Sequence, residues 1–200
     1  LSLGGIRLLF KEGGKKGLWL HPDGMSDEEL SHYQPKRPSQ LTGWTAAVLT
    51  LSDRAHAGTY PDGSGPLLVT GLNQLGADVK CTEVLPDDME TLVAKLMSLS
   101  AQGIGLVLTT GGTGLAPRDT TPEALAKVAT RHVPGLAEMF RSECRHHTHL
   151  SWLSRADAVM VDRTLVIALP GSPRAAAEGL AVLGPLLAHA RAMIEGEGHG

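Results

Sequence analysis

Aromatic side chains make up only 4% of the 200 residues, so any core has to be built mainly from Leu, Val, Ala and Ile. Cysteine is nearly absent: Cys81 and Cys144 make up the full count of 2, too few for a disulfide framework. That scarcity reads as a reduced intracellular protein, expected in the cytoplasm. No apolar run approaches the roughly 18 residues of a membrane span, so no membrane partner is expected. Neither sign of charge dominates. A formal net charge of −3 gives no electrostatic case for binding nucleic acid. The chain begins Leu1-Ser2-Leu3 without Met, and lacks the basic start and apolar core of a signal peptide. The expectation is a processed or excised piece, or a chain whose first residues are absent from the sequence.

What is present falls into three parts: 1–40, 41–195 and a Gly-rich tail at 196–200 expected to fray. The first part holds an apolar run at Ile6–Phe10 and another at Leu18–Leu20. A turn-like His21-Pro22-Asp23-Gly24 follows, then a short helix signal at Ser26–Leu30. Tyr33 to Gln40 carries Pro35 and Pro38 and reads as linker. This part reads as an N-terminal extension or the tail of an upstream domain.

From Leu41 onward strands and helices alternate. Apolar runs predict strands over Trp44–Leu51, Ala77–Leu85, Gly105–Thr109 and Thr164–Leu169. Helices are predicted over Gly65–Leu75, Asp88–Leu99, Pro122–Ala129, Gly135–Cys144 and Pro173 to about Ile194. His146, His147 and His149 follow a helix end and lack zinc-ligand spacing. Alternation of this kind implies an α/β fold of three layers, a mainly parallel sheet with helices on both faces. Ligands of such sheets sit at the carboxyl ends of the strands. Four polar loops fall there: Ser52-Asp53-Arg54, Pro86-Asp87-Asp88, Thr109 to Gly114, and Pro170-Gly171-Ser172-Pro173.

The third loop carries most of the chemistry. A buried strand runs into Thr109-Thr110-Gly111-Gly112-Thr113-Gly114, and Arg118-Asp119-Thr120-Thr121-Pro122-Glu123 follows. Glycines allow positive φ and let amide N–H groups point into a concavity, and hydroxyls add donors. Such a loop suits a phosphate or a carboxylate. It is neither a Walker loop nor a dinucleotide fingerprint. Thr121 is expected to cap the helix that Pro122 and Glu123 open. A plain glycine turn before a well-capped helix would leave the same pattern.

Thr109 to Gly114, with Arg118-Asp119 and Thr121-Pro122-Glu123-Ala124, resembles the signature of the molybdopterin adenylyltransferase family. That family includes bacterial adenylyltransferases and the G domains of plant and animal cofactor-synthesis proteins. Leu51-Ser52-Asp53-Arg54 with Gly58 and Asp62, Leu85-Pro86-Asp87-Asp88, Pro134 to Glu138, Leu153 to Ala156 and Leu169 to Pro173 follow in the family's order. The resemblance covers about Trp44 to Leu187 and implies the molybdopterin-binding fold.

It also implies an activity, the joining of AMP from Mg-ATP to molybdopterin with release of pyrophosphate. Thr109, Thr110, Gly111, Gly112, Thr113 and Gly114 would hold nucleotide phosphates, supported by Ser52 and Asp53. Asp87 and Asp119 match the family's essential carboxylates and would hold Mg²⁺. Gly171, Ser172 and Pro173, with Ser154 and Arg155 more weakly, would hold the pterin or its phosphate. From the residues alone, Asp87 could equally be a helix cap, Asp119 a turn aspartate, and Ser172-Pro173 a cap pair. A homotrimer and a downstream molybdenum-insertion partner are implied by resemblance only. The alternatives are a binding module of the same fold without transfer activity, a molybdenum-insertion relative, and a trimeric scaffold.

Overall fold

In a computed structural model the described residues are 41–196, preceded by three short strands. The chain divides into two compact units, Leu1–Arg37 and Pro38–Gly200. In the first, β1 (Ser2–Leu3), β2 (Ile6–Leu9) and β3 (Trp19–Pro22) form an antiparallel sheet in that order. The two apolar runs thus pair with each other. His21 and Pro22, read as turn residues, instead close β3 opposite Arg7 and Ile6. The helix expected at 26–30, the linker at 33–40 and the tail beyond Gly196 lie outside the described residues.

The second unit is built on a sheet of six strands in the order β5-β4-β6-β9-β8-β7. These are β4 (Thr45–Leu51), β5 (Asp78–Leu85), β6 (Leu106–Thr110), β7 (Arg131–His132), β8 (Asp157–Val161) and β9 (Thr164–Leu169). β5, β4, β6 and β9 run parallel, while β8 and β7 are antiparallel additions. The helices are α1 (Asp53–His56), α2 (Gly65–Gln74), α3 (Met89–Ala101), α4 (Thr121–Val128), α5 (Pro134–Cys144) and α6 (Pro173–Glu195). A 3₁₀ turn spans His149–Leu153.

The side-chain period of 2 along a strand splits the core into two layers. Ala46 and Val48 of β4 join Leu68 and Leu72 of α2, Phe140 of α5 and Leu183 and Leu187 of α6. Ala47 and Leu49 face the other way, onto Leu92, Leu96 and Leu99 of α3 and Leu125 of α4. Each central strand is therefore apolar on both faces, as its uninterrupted sequence run requires. β5 is different. It lies at the edge, and Asp78, Lys80, Thr82 and Glu83 are exposed along it.

The β8–β9 hairpin is an addition to the expected pattern. Its turn is Asp162-Arg163, with Asp162 at φ 52, a left-handed conformation that aspartate tolerates better than most residues. No described helix is long and apolar enough to cross a membrane.

Candidate functional site

The four parallel strands end at one edge of the sheet, so their following loops meet there. Ser52 N–H donates to Leu85 O at 3.0 Å, joining the loops after β4 and β5. Gly111 N–H donates to Leu169 O at 3.1 Å, joining those after β6 and β9. Between them opens a cleft of about 750 Å³. Ser52, Asp87, the stretch Gly111–Gly114 and Asp119 line it. Ser154, Gly171 and Pro173 line it as well, so residues from every loop expected at the site reach one cavity.

The glycine loop owes its shape to two positions. Gly111 has φ 106 and Gly112 φ 64. A β-carbon on Gly111 would overlap Leu51 O, and one on Gly112 would overlap the Thr121 hydroxyl. Thr121 then ties the loop down: its hydroxyl donates to Gly111 O at 3.0 Å and its N–H to Gly112 O at 3.1 Å. Thr121 is thus the first residue of α4, and Thr120 occupies the cap position without a side-chain bond. This corrects the expected cap and gives Thr121 a different task. Gly112, Thr113 and Gly114 are left with amide N–H groups that have no hydrogen-bond partner among the described residues. Three successive free donors in a stretch lining a cleft are the kind of group that can take an anion.

Thr109 and Thr110 do not join this group. Both are fully buried residues of β6. Thr110 donates to Pro170 O at 2.9 Å, and Thr109 Oγ1 is buried without a partner. Only the Thr110 hydroxyl braces the strand end, and neither residue lines the cleft, Thr109 because it lies within the strand and Thr110 because the strand runs one residue further than its sequence suggested.

Asp53 and Asp87 are interlocked. Asp53 N–H donates to Asp87 Oδ2 at 3.1 Å, and Asp87 N–H donates to Asp53 Oδ1 at 3.0 Å. Arg118 pairs with Asp53 Oδ2 and stands 4.0 Å from Asp87 Oδ2. The Asp87 N–H first, and Arg118 second, hold the Asp53 carboxyl below the usual carboxylate range. Asp53 itself does not line the cleft. Asp87 is not a helix cap: Asp88 caps α3, accepting from Thr91 N–H at 2.8 Å. Asp119 Oδ2 accepts from Ala116 N–H at 2.8 Å, closing a turn within the loop. Asp87 Oδ1 and Asp119 Oδ1 keep no partner among the described residues. Each acid therefore keeps one uncommitted oxygen, and both residues line the same cleft. Ser172 caps α6 through Ala175 N–H at 3.2 Å, and Ser52 caps α1 through Ala55 N–H at 3.2 Å. The Ser172 oxygen accepts that capping bond and keeps its hydroxyl donor, while Gly171 packs against Gly111, where a β-carbon would come within 3.1 Å of the Gly111 Cα.

Arg155, ranked low from sequence, clasps the whole loop. Its N–H donates to Thr113 O at 2.9 Å and its Nε to Gly114 O at 2.8 Å. Its guanidinium also reaches Asp119 O, and it pairs with Glu123 at 2.5 Å. That bond holds the Glu123 carboxyl below its ordinary value. Asp62 organises the opposite wall, accepting from Thr50 Oγ1 at 2.8 Å and from Gly65 N–H at 2.9 Å. Phe140, Cys144 and Glu178 line the wall formed by α5 and α6. Burial, then Glu178 and Glu143, pushes the Cys144 thiol up. Among the described residues no group of three or more His, Cys, Asp or Glu side chains could hold a metal ion. His146 and His147 are exposed beyond α5.

Residues 47–189 match the family model described as "Probable molybdopterin binding domain". The chain is 42% identical over 199 residues, its whole length, to the molybdenum cofactor biosynthesis bifunctional protein of Synechococcus elongatus. It spans 60% of that relative's length. It is 40% identical over 136 residues to the molybdopterin adenylyltransferase of Haemophilus influenzae, covering 66% of this chain and 69% of that one. The crystal structure of the molybdopterin biosynthesis enzyme MoaB of Thermus thermophilus matches with a TM-score of 0.72 at 38% identity, covering 76% of this chain and 97% of that one.

Proposed function

The chain belongs to the family described as "Probable molybdopterin binding domain", and from that premise we propose that it transfers AMP from ATP to molybdopterin during molybdenum cofactor biosynthesis. The observation that carries the reading is the run of free amides at Gly112–Gly114, in a stretch lining the same cleft as Asp87 and Asp119. Free N–H donors suit a polyphosphate, and two hard carboxylate oxygens suit a hard cation beside it. The Haemophilus relative carries the name of the same transfer.

In the step itself an oxygen of the molybdopterin phosphate bonds to the α-phosphorus of ATP. The bond from that phosphorus to the bridging β-oxygen breaks, and its electron pair leaves with pyrophosphate. Two anions must approach, so positioning and charge neutralisation dominate the barrier. The amides of Gly112, Thr113 and Gly114 hold the polyphosphate, and Gly111 keeps them in place by its φ. Mg²⁺ fits the donor set, because it takes one or two carboxylates and completes its shell with water and phosphate oxygens. Asp87 and Asp119 would hold it, and it would supply charge neutralisation at the reacting phosphates. The Arg174 backbone N–H in the first turn of α6, which has no hydrogen-bond partner among the described residues, suits the phosphate end of the pterin substrate. Ser154 lines the same side.

A cytoplasmic location fits the two free cysteines, Cys81 and Cys144. A homotrimer, and hand-over of the adenylylated product to a molybdenum-inserting partner, complete the reading. Calorimetry with ATP and with molybdopterin, each with and without Mg²⁺, tests it together with a pyrophosphate-release assay. Asp119→Ala should abolish transfer and leave the fold intact, because the side chain sits on a surface loop. Wild-type rates in that variant would refute the role given to Asp119. Failure of the unaltered protein to bind either substrate would refute the function.

A further inference from the structure

We infer that Arg118 is a nucleotide-contacting residue, a guanidinium held outside the cleft lining by Asp53 but 4.0 Å from Asp87, which lines it, so that its remaining donors meet the polyphosphate. The inference rests on the adenylyl-transfer reading and assigns that reaction a cationic side chain, which the free amides and the acids do not provide.

Arg118 sits between the glycine loop and the α4 cap, one residue before Asp119. Only its NH2 nitrogen is engaged, on Asp53 Oδ2, with Asp87 Oδ2 at 4.0 Å. Its Nε and NH1 have no partner among the described residues. A guanidinium is a planar fork with five donors, so one edge can hold a carboxylate while the other takes a phosphate. The side chain is 62% exposed. An ion pair that open contributes little to folding, so stability does not account for the arrangement.

Of the neighbouring cations only Arg155 is committed elsewhere, while Arg54 keeps its N–H donors as a second cation at the cleft. Arg54, which lines the cleft, stacks over the Tyr60 ring with its guanidinium carbon 4.8 Å from the centroid. Arg155 is spent on Gly114, Asp119 and Glu123. Asp53 lies outside the cleft lining yet is fastened to Asp87 from both ends. Its oxygens divide the work: one fixes the Asp87 loop and the other aims Arg118. Asp53 is then a positioning residue, acting on nucleotide through Arg118.

Calorimetry at low ionic strength with adenosine, AMP and Mg-ATP separates this role from a structural one. Arg118→Ala should weaken ATP roughly 10-fold or more, the size of a lost charge-assisted bond, and leave adenosine unchanged. The difference should shrink as salt is raised. Arg118→Lys should recover part of it, and thermal unfolding should match the wild type. Asp53→Asn should weaken ATP several-fold alone and cost nothing further when added to Arg118→Ala. Unchanged ATP affinity in Arg118→Ala would overturn the inference. So would an equal loss for adenosine, or additive losses in the double variant. A wild-type protein that binds no nucleotide would refute the adenylyl-transfer reading, and the inference with it.

Discussion

Replacing Arg155 by alanine should lower stability by about 2 kcal/mol and loosen the nucleotide site at the same time. The side chain donates to Gly114 O at 2.8 Å and to Asp119 O, two bonds that bracket the turn carrying Asp119. A net contribution of about 1 kcal/mol for each is ordinary. The pair with Glu123 is half open to solvent, with side chains 33% and 50% exposed, and adds only about 0.3 kcal/mol after screening. For a domain of this size each kcal/mol moves Tm by about 2–4 °C, so the melting point should fall by about 4–8 °C. Circular dichroism melts of wild type and variant at neutral pH read the difference. Glu123 has a depressed carboxyl pKa, so its part is present above the ordinary value near 4.3 and is lost as pH falls through the depressed one. The gap between the two melts should therefore narrow slightly in acid. Arg155→Lys should not restore nucleotide affinity, because one ammonium cannot reach three separated acceptors. A melting point within about 1 °C of wild type would refute the clasp.

Gly111→Ala should cost more than about 1–3 kcal/mol, since φ 106 is hostile to a side chain and the new β-carbon overlaps Leu51 O; an unchanged urea midpoint would show that the loop can rearrange. Gly112→Val should impair ATP binding, because φ 64 and the Thr121 hydroxyl both exclude a branched side chain. Equal affinity by calorimetry would count against the role given to the Gly112–Gly114 amides. Phe140→Ala should destabilise the protein by about 3–5 kcal/mol, since the ring is 2% exposed between the sheet and α6; a loss below about 1 kcal/mol would mean that the wall collapses to fill the space.

The strands that place the site were legible because burial on both faces writes itself as an unbroken apolar run, as in Ala46 to Leu49 and Leu165 to Leu169. The strand β8 was not legible. The run Ala158–Val161 is just as apolar, but the reversal after it is made by Asp162 without a glycine, so no turn signal announced the hairpin. Gly111 and Gly112 of the loop after β6 announced themselves, since few other residues adopt their φ values. Thr109 and Thr110 misled because a hydroxyl in sequence does not declare whether it faces solvent or a neighbouring strand. Asp88 took the cap read onto Asp87, a one-residue matter that depends on where the chain leaves the sheet. The tasks of Arg155 and Arg118 were hidden for another reason: their partners lie 32 to 65 residues away along the chain, and only the finished fold brings them close.

One boundary of the sheet has a consequence for how copies of the chain can meet. β5 closes one side and carries outward Asp78, Lys80 and Glu83, while β7 at the other side is only 2 residues long. Charged and stunted margins give a foreign strand little backbone to ladder onto. Growth of this six-stranded sheet by strand addition is thereby disfavoured at both margins, and a molecule approaching it meets charged side chains, helices and loops first.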